Sequence, residues 1–464
     1  MMRGVTNDET YARRVLITAI LGVLAFSSSM TIVSAVLATI AEDFGAEPAT
    51  IGWAVSGLFL TMAIGTPVLG RVGDAVGRKE LFVVGTAILT VGTLACAFAW
   101  NAGSFIAFRM LVGVGIAATM PNGMALLIDA YPPEKRAVAV GWFQTFFTGV
   151  PVVALVIGSF LTELFGWRSV FLLLTPFAVA AFTMSVRWIR RTGPSRPDAR
   201  VDWWGALLLG GTILPFLLAL EQFRRSSITN PTVLGLAAAA VVGLVAFVVV
   251  ERRVSQPLLR LGYFTRRNFT GPMIGQSFSQ FAYMGGFQLT PLMLQKEFGL
   301  GVAASSWILL FRPGVFSAAS PFGGRLASRV GGGVMISSGG VLMVVSMALF
   351  AVAASADLLW LVVVGLSISG LAMGLASPSF STTLATAVDP ADLGVANGMA
   401  STMMNIGMLS GVQTMFAVLG DGRAGADFAR SFWVGGAVAT VAVVGGLLVT
   451  RDRTPSASPV ASSG

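Results

Sequence analysis

The sequence predicts an all-α polytopic membrane protein, and three observations carry that prediction. Hydrophobic residues make up 55% of the 464-residue chain and charged residues only 11%. A soluble protein of this size needs a charged surface to stay in solution, so the composition places the chain in lipid. Apolar runs of roughly 17–25 residues recur between short polar breaks, long enough to cross a bilayer as helices. The alternating ten-residue pattern of barrel strands is not seen, and a helix satisfies its own backbone hydrogen bonds inside hydrocarbon.

Taken in order, the spans are expected at 15–40, 53–69, 81–100, 105–128, 138–160, 170–189 and 203–220, then 233–250, 269–293, 305–322, 333–353, 358–376, 396–419 and 432–450. The first is too long for the core of a cleavable signal peptide and is read as a retained span. The second runs into "GRVGDAVGRKE" (70–80), an unusually dense charged stretch for this chain. The third holds the single cysteine, Cys96, which excludes an internal disulfide and a cysteine metal site. The fourth and tenth hold Arg109 and Arg312, charges expensive at membrane depth and so marks of function or of snorkelling. The last is followed by "TPSASPVASSG", the composition of a disordered tail.

Charge placement gives the orientation. With the N-terminus inside, the cytoplasmic segments hold 22 of the 30 Lys and Arg, the external segments six and the spans two. An even number of spans with both termini cytoplasmic satisfies the positive-inside rule. The basic residues are mostly Arg, with Lys only at 79, 135 and 296. That bias fits a GC-rich bacterial genome and hence a bacterial plasma membrane.

Several function classes weaken at once. The chain has no histidine, which removes the commonest metal ligand and general base and the usual proton carrier near neutral pH. No enzyme chemistry, metal site or cofactor is expected. No basic stripe interleaved with aromatics occurs, so nucleic acid is not an expected partner despite the net charge of +9. The glycine-rich "GVGIAA" lacks a strand-to-helix context and lies in lipid, so it is not a phosphate loop. The expected partners are the bilayer, a small-molecule substrate and coupled protons, with the chain acting as a monomer.

The chain also repeats itself. Gly113, Pro121, Pro133 and Gly141 align with Gly370, Pro378, Pro390 and Gly398 at one offset of 257 residues. Near that offset "GRVGDAVG" (70–77) faces "GRLASRVG" (324–331). The repeat steps by eight spans. The expected organisation is therefore a six-helix bundle over 1–189, a linker with two inserted spans over 190–267, a second six-helix bundle over 268–450 and a tail over 451–464.

On these motifs the chain resembles the major facilitator superfamily, and specifically its fourteen-helix drug/proton antiporter branch. "GRVGDAVGRK" resembles the family's loop between the second and third helices, and "FRMLVGVGIAA" (108–118) its fourth-helix Arg–Gly motif. "YPPEKR", "FGWRSVFLLLTP" (165–176), "VDWWGALLL" and "ERRVSQPLLRLGYFTRRNF" resemble segments in the corresponding loops and beside the two extra helices. The resemblance implies a secondary active exporter of small amphiphilic compounds, multidrug or metabolite efflux by alternating access, proton-coupled at an atypical site. A facilitator or symporter for a neutral or anionic metabolite is the alternative within transport. A membrane sensor without transport is the alternative of another class.

It further implies a cavity lined by the first, fourth, ninth and twelfth spans. Arg109 and Arg312 are expected there. Gln276, Gln280 and Tyr283 share one helix face at i, i+4 and i+7, as do Gln144 with Thr148, and Asn397 with Ser401 and Asn405. Interhelical hydrogen bonding is the competing use of such side chains. The resemblance assigns gating to Gly70, Arg71, Asp74, Gly77 and Arg78, with Asp74 and Arg78 opposite Asp129 at the end of the fourth helix. Two departures bear on coupling: Ser29 stands where the family usually has an Asp, with Ser34 in place of Asn, and Val150 separates Gly149 from Pro151. With no acid in a span interior, Glu163 and Asp129 are the carboxylates expected to carry protons.

Overall fold

The structure is a computed structural model that describes residues 2–191, 193, 202–226, 229–254, 257–388, 393–420 and 424–450. Among the described residues there is no β-strand, and the chain forms fifteen α-helices and one short 3-10 turn (Leu261–Thr265). The first eight are α1 (Met2–Asp43), α2 (Pro48–Val76), α3 (Arg78–Ala97), α4 (Ala102–Ala130), α5 (Pro133–Phe165), α6 (Arg168–Trp188), α7 (Trp203–Arg225) and α8 (Pro231–Glu251). The rest are α9 (Arg267–Lys296), α10 (Val302–Leu309), α11 (Phe311–Val330), α12 (Gly332–Ala356), α13 (Leu359–Thr386), α14 (Leu393–Leu419) and α15 (Gly425–Leu448). Twelve of the described stretches are long and apolar enough to cross a membrane, with α10 and α11 together making one of them. The tail after 450 and most of the segment before α7 lie outside the described residues.

Local chemistry explains the boundaries. Pro opens α2, α5 and α8, where its missing N–H is one of the unbonded donors of any helix start. At α4, Asn101 accepts from Ser104 N at 2.8 Å while Ser104 answers the Asn101 backbone, a reciprocal cap. Gly77 (φ 133°) alone separates α2 from α3, and Gly331 (φ 97°) alone separates α11 from α12. Only glycine enters that region without strain, and the two residues end the two copies of the repeated motif.

Two expectations change. The charged stretch 70–80 is not a free loop: it is the last two turns of α2 and the start of α3, bent at Gly77. Its charges lie at a helix end, where polar tips reach water while the backbone stays bonded. The tenth span is broken at Leu310 into α10 and α11. Pro313 has no N–H to give the carbonyl four residues earlier, so the ladder is interrupted there.

The repeat reappears in packing. The pairs α2–α4, α3–α4, α3–α6, α1–α5 and α1–α6 recur as α11–α13, α12–α13, α12–α15, α9–α14 and α9–α15. Gly113 lets α4 approach α2 so closely that an added β-carbon would lie 2.7 Å from Leu58 O. Its counterpart Gly370 presses α13 onto α11 at the Arg312 carbonyl. The hairpin α7–α8 touches α2 and α14. The end carrying the start of α1 is called the near end below, and the opposite one the far end.

Candidate functional site

The two arginines inside the helical assembly are wholly buried. Arg109 stands two turns into α4. Its Nη1 donates to Ser29 Oγ at 2.8 Å and its Nε to Ala54 O at 3.3 Å, while Nη2 has no partner. Ser29 is the position where the resemblance puts a carboxylate, so here the guanidinium meets a neutral acceptor. Arg312, at the start of α11, donates from Nη2 to the Tyr283 carbonyl. Its guanidinium carbon lies 3.4 Å from the centre of the Tyr283 ring and 5.0 Å from that of Phe287, a cation–π arrangement on α9. Nε and Nη1 of Arg312 are buried without partners. Each arginine therefore keeps at least one charged donor that no protein acceptor meets.

The polar faces predicted from spacing are partly gathered. Tyr283 joins Arg312, and Gln280 is buried with its Oε1 unpaired, while Gln276 is half-buried. On α14, Asn405 is buried with Oδ1 unpaired, Ser401 half-buried and Asn397 exposed. Gln144 and Thr148 lie on α5, but their side chains fall outside the described residues, as does that of Ser34.

At the near end, Arg78 bridges Asp74 at 3.0 Å and Asp129 at 2.6 Å, tying the α2–α3 bend to the end of α4. Arg71 turns away from this cluster and donates to the Pro257 carbonyl in the segment after α8. Gly70 packs over Pro121 of α4. Asp129 is half exposed.

The far end holds contacts that the sequence did not announce. Lys296 pairs with Glu42, Gln295 Nε2 donates to Ala35 O at 2.9 Å, and Ser159 meets Ser306. Glu163, also exposed, accepts from Ala303 N at 2.8 Å, at the start of α10. All four join the first six helices to α9 and α10. Within the first six, Asp43 pairs with Arg168 at 2.7 Å and accepts from Trp167 Nε1 at 3.1 Å. The Arg168 hydrogen bond holds the Asp43 carboxyl below its ordinary range, against the opposing effect of burial and with help from Trp167. No group of three or more His, Cys, Asp or Glu that could hold a metal occurs among the described residues.

Known proteins resemble this chain in sequence and in fold. The family described as Major Facilitator Superfamily matches residues 18–412 and 272–464. Multidrug resistance protein 3 of Bacillus subtilis is 25% identical over 90% of this chain and 81% of its own length. The methylenomycin A resistance protein of the same organism is 28% identical, covering 86% of this chain and 85% of that one. The riboflavin transporter RibZ of Clostridioides difficile is 26% identical over 86% of each. A solved structure of the peptide transporter POT in complex with sulfate superposes with a TM-score of 0.71 over 94% of this chain and 93% of that one. Its 13% identity makes that a likeness of fold. With a family match over nearly the whole chain and transporters among its relatives, this chain belongs to the Major Facilitator Superfamily and is a multi-pass membrane transporter, not an enzyme.

Proposed function

We propose that the chain is a fourteen-span secondary active exporter of small amphiphilic compounds, neutral or anionic rather than permanently cationic, driven by protons. Counting α5 (33 residues) and α9 (30 residues) with the twelve apolar stretches gives the fourteen. On this reading 1–189 and 268–450 are the two six-helix bundles, α7 and α8 are the insertion, and both termini face the cytoplasm. The relatives named for multidrug and methylenomycin A resistance support export.

One observation carries the substrate charge. Arg109 and Arg312, one in each bundle, are buried with charged donors unmet, and Ser29 leaves the first uncompensated. A buried donor without an acceptor costs about 1–3 kcal/mol, more when charged. A ligand carbonyl, hydroxyl or carboxylate that meets those donors gains that much, whereas a permanent cation is repelled. The near-end cluster of Arg78 with Asp74 and Asp129 serves as a latch in the alternation, and the far-end contacts describe a state closed on the external side.

The test is efflux of anionic, neutral and cationic dyes and of antibiotics from a strain lacking its own pumps, with and without an uncoupler. Uncoupler-sensitive export of anionic or neutral compounds is expected. Saturable export of quaternary ammonium dyes that survives Arg109→Ala and Arg312→Ala refutes the charge argument, and export indifferent to the uncoupler refutes proton drive.

A further inference from the structure

Among the described residues only two carboxylates are buried, Asp202 and Glu251, and they face one another. They come from opposite ends of the inserted hairpin: Asp202 caps the start of α7, and Glu251 is the last residue of α8. Asp202 is 7% exposed and Glu251 3%. Each has one oxygen fixed by backbone. Asp202 Oδ1 accepts from Gly205 N at 2.8 Å, and Glu251 Oε2 accepts from Leu259 N at 3.2 Å. The other oxygen of each, Asp202 Oδ2 and Glu251 Oε1, is buried without a partner. Both point at the same spot, because a β-carbon built on Gly205 would lie 2.5 Å from the first and 2.8 Å from the second. The two free oxygens are thus no farther apart than the sum of those distances.

Two ionised carboxylates at such a separation, out of water, repel strongly, and one of them takes a proton instead. The charged groups that face the pair are few. Arg71 of α2 faces the pair, and Arg71 in turn interacts with Arg260 from the segment after α8 and with Asp74 of its own helix, while α14, which packs against α7, carries no charged residue. Arg260 is exposed and screened by solvent. Asp74 is engaged with Arg78. Among the described residues Arg71 is therefore the one inner cation, enough to balance one negative charge, and its Nη2 is committed to the Pro257 carbonyl. The remaining charge is removed most simply by a proton.

We propose that Asp202 and Glu251 form a proton-binding site in which the two carboxyl groups share one proton, clamping the base of the α7–α8 hairpin onto the charged end of α2. The proton comes from water at the near end and returns there, so the site reports the pH of that one compartment. It is not a carrier site, since a coupling group must be reached from both sides. When the proton is bound, the pair and Arg71 are neutral together and the segment 257–259 stays clipped between them. When it leaves, the carboxylates push apart and draw more strongly on Arg71, so the 257–259 clip and the setting of Arg71, on the helix whose end carries the latch, change together. The inference rests on the fold and stands or falls independently of which compound is exported.

The measurement is infrared difference spectroscopy of the full-length protein in lipid nanodiscs, titrated from about pH 5 to about pH 9, above the range where exposed carboxyls protonate. The wild type is expected to show the C=O stretch of about one protonated carboxyl per molecule that disappears within this window. Glu251→Gln and Asp202→Asn should each abolish it. Arg71→Ala should move its midpoint to higher pH, because losing a neighbouring cation favours the protonated form. Absence of a protonated carboxyl in the wild type overturns the proposal without any variant, so a misfolded mutant leaves the question decided. A band that persists in both Glu251→Gln and Asp202→Asn also overturns it.

Discussion

Removing the far-end contacts should open that side by an amount the structure lets us estimate. Glu163 Oε1 accepts from Ala303 N in the first turn of α10, so its carboxylate meets both a backbone donor and the positive end of a helix. An exposed carboxylate in that place is worth about 0.3–1 kcal/mol from the dipole, and its hydrogen bond about 0.5–1 kcal/mol more. The Lys296–Glu42 pair has one largely exposed partner and adds about 0–1 kcal/mol. Glu163→Ala with Lys296→Ala should therefore cost the closed state about 1–3 kcal/mol, a population shift of about 5–150-fold. Glu163→Gln keeps a neutral acceptor and should shift it by about 2–5-fold. The assay uses a Cys96→Ser background with Ser306→Cys, a buried position between the halves opposite Ser159. Impermeant maleimide added outside reads the open population as a labelling rate, provided opening is fast. Equal labelling rates in the double variant and its parent would refute the reasoning, and with it the view that these polar contacts hold the external side shut.

Three further outcomes are expected. Arg312→Ala removes two unmet donors and a cation stacked on Tyr283, so the affinity for an anionic dye should fall about 10–150-fold. Arg109→Ala should do the same, and binding titrations on purified protein check both. Asp74→Asn and Arg78→Ala should preserve expression while raising labelling of cysteines at the cytoplasmic mouth, since Arg78 loses one or both of its carboxylates. For Asp43 the sign follows from a folded-state pKa held below the unfolded value. Its stabilisation is present above about pH 4 and is lost as the pH falls through the lower folded value. Asp43→Asn should therefore lower the Tm near neutral pH and flatten its acid decline, as scanning fluorimetry would show.

The sequence made the helices legible because lipid leaves the chain so few choices. Once apolar runs are long enough to span, backbone satisfaction forces helices, and the repeat of Gly113 with Gly370 announces matching close approaches. The Asp74–Arg78–Asp129 geometry was readable through the family motif and is met by the observed pairs. Contacts across the bundle were not readable in this way. Arg312 meets Tyr283 across the turn from α9 to α10, and Arg109 meets Ser29 at a separation of 80 residues. No spacing rule encodes either, because each depends on how helices rotate against one another. Asp202 and Glu251 were hidden for another reason. An acidic residue at a helix end reads as a solvated charge, and only the fold back of 257–259 over α8 buries it. The break at Leu310 lies beside Pro313, but proline inside a transmembrane helix is so often tolerated that the residue alone does not announce a break.

The repeat is imperfect at one place, and that imperfection bears on how the protein moves. In the first half Arg78 follows Gly77 and reaches Asp129 across the end of α4. In the second half Gly332 follows Gly331, and a β-carbon there would run into the Thr383 hydroxyl of α13. A side chain at 332 must turn the Thr383 hydroxyl aside, and Ser328 stands where the first half has Asp74, so the second half lacks an ionic tie of the first half's kind. What holds α12 to α13 there is close apolar packing, seen where Gly339 lies against Ala372 and Ala376. Such packing does not weaken with salt, whereas an exposed ion cluster does. A gate at the near end should then be ionic on one side and steric on the other, and Gly332→Arg should not restore symmetry. It should lower the Tm modestly by crowding Thr383, while raised salt loosens only the α2–α3 bend. A Gly332→Arg variant as stable as the wild type would show that the second half accepts the same tie, and that the asymmetry lies in the sequence and not in the fold.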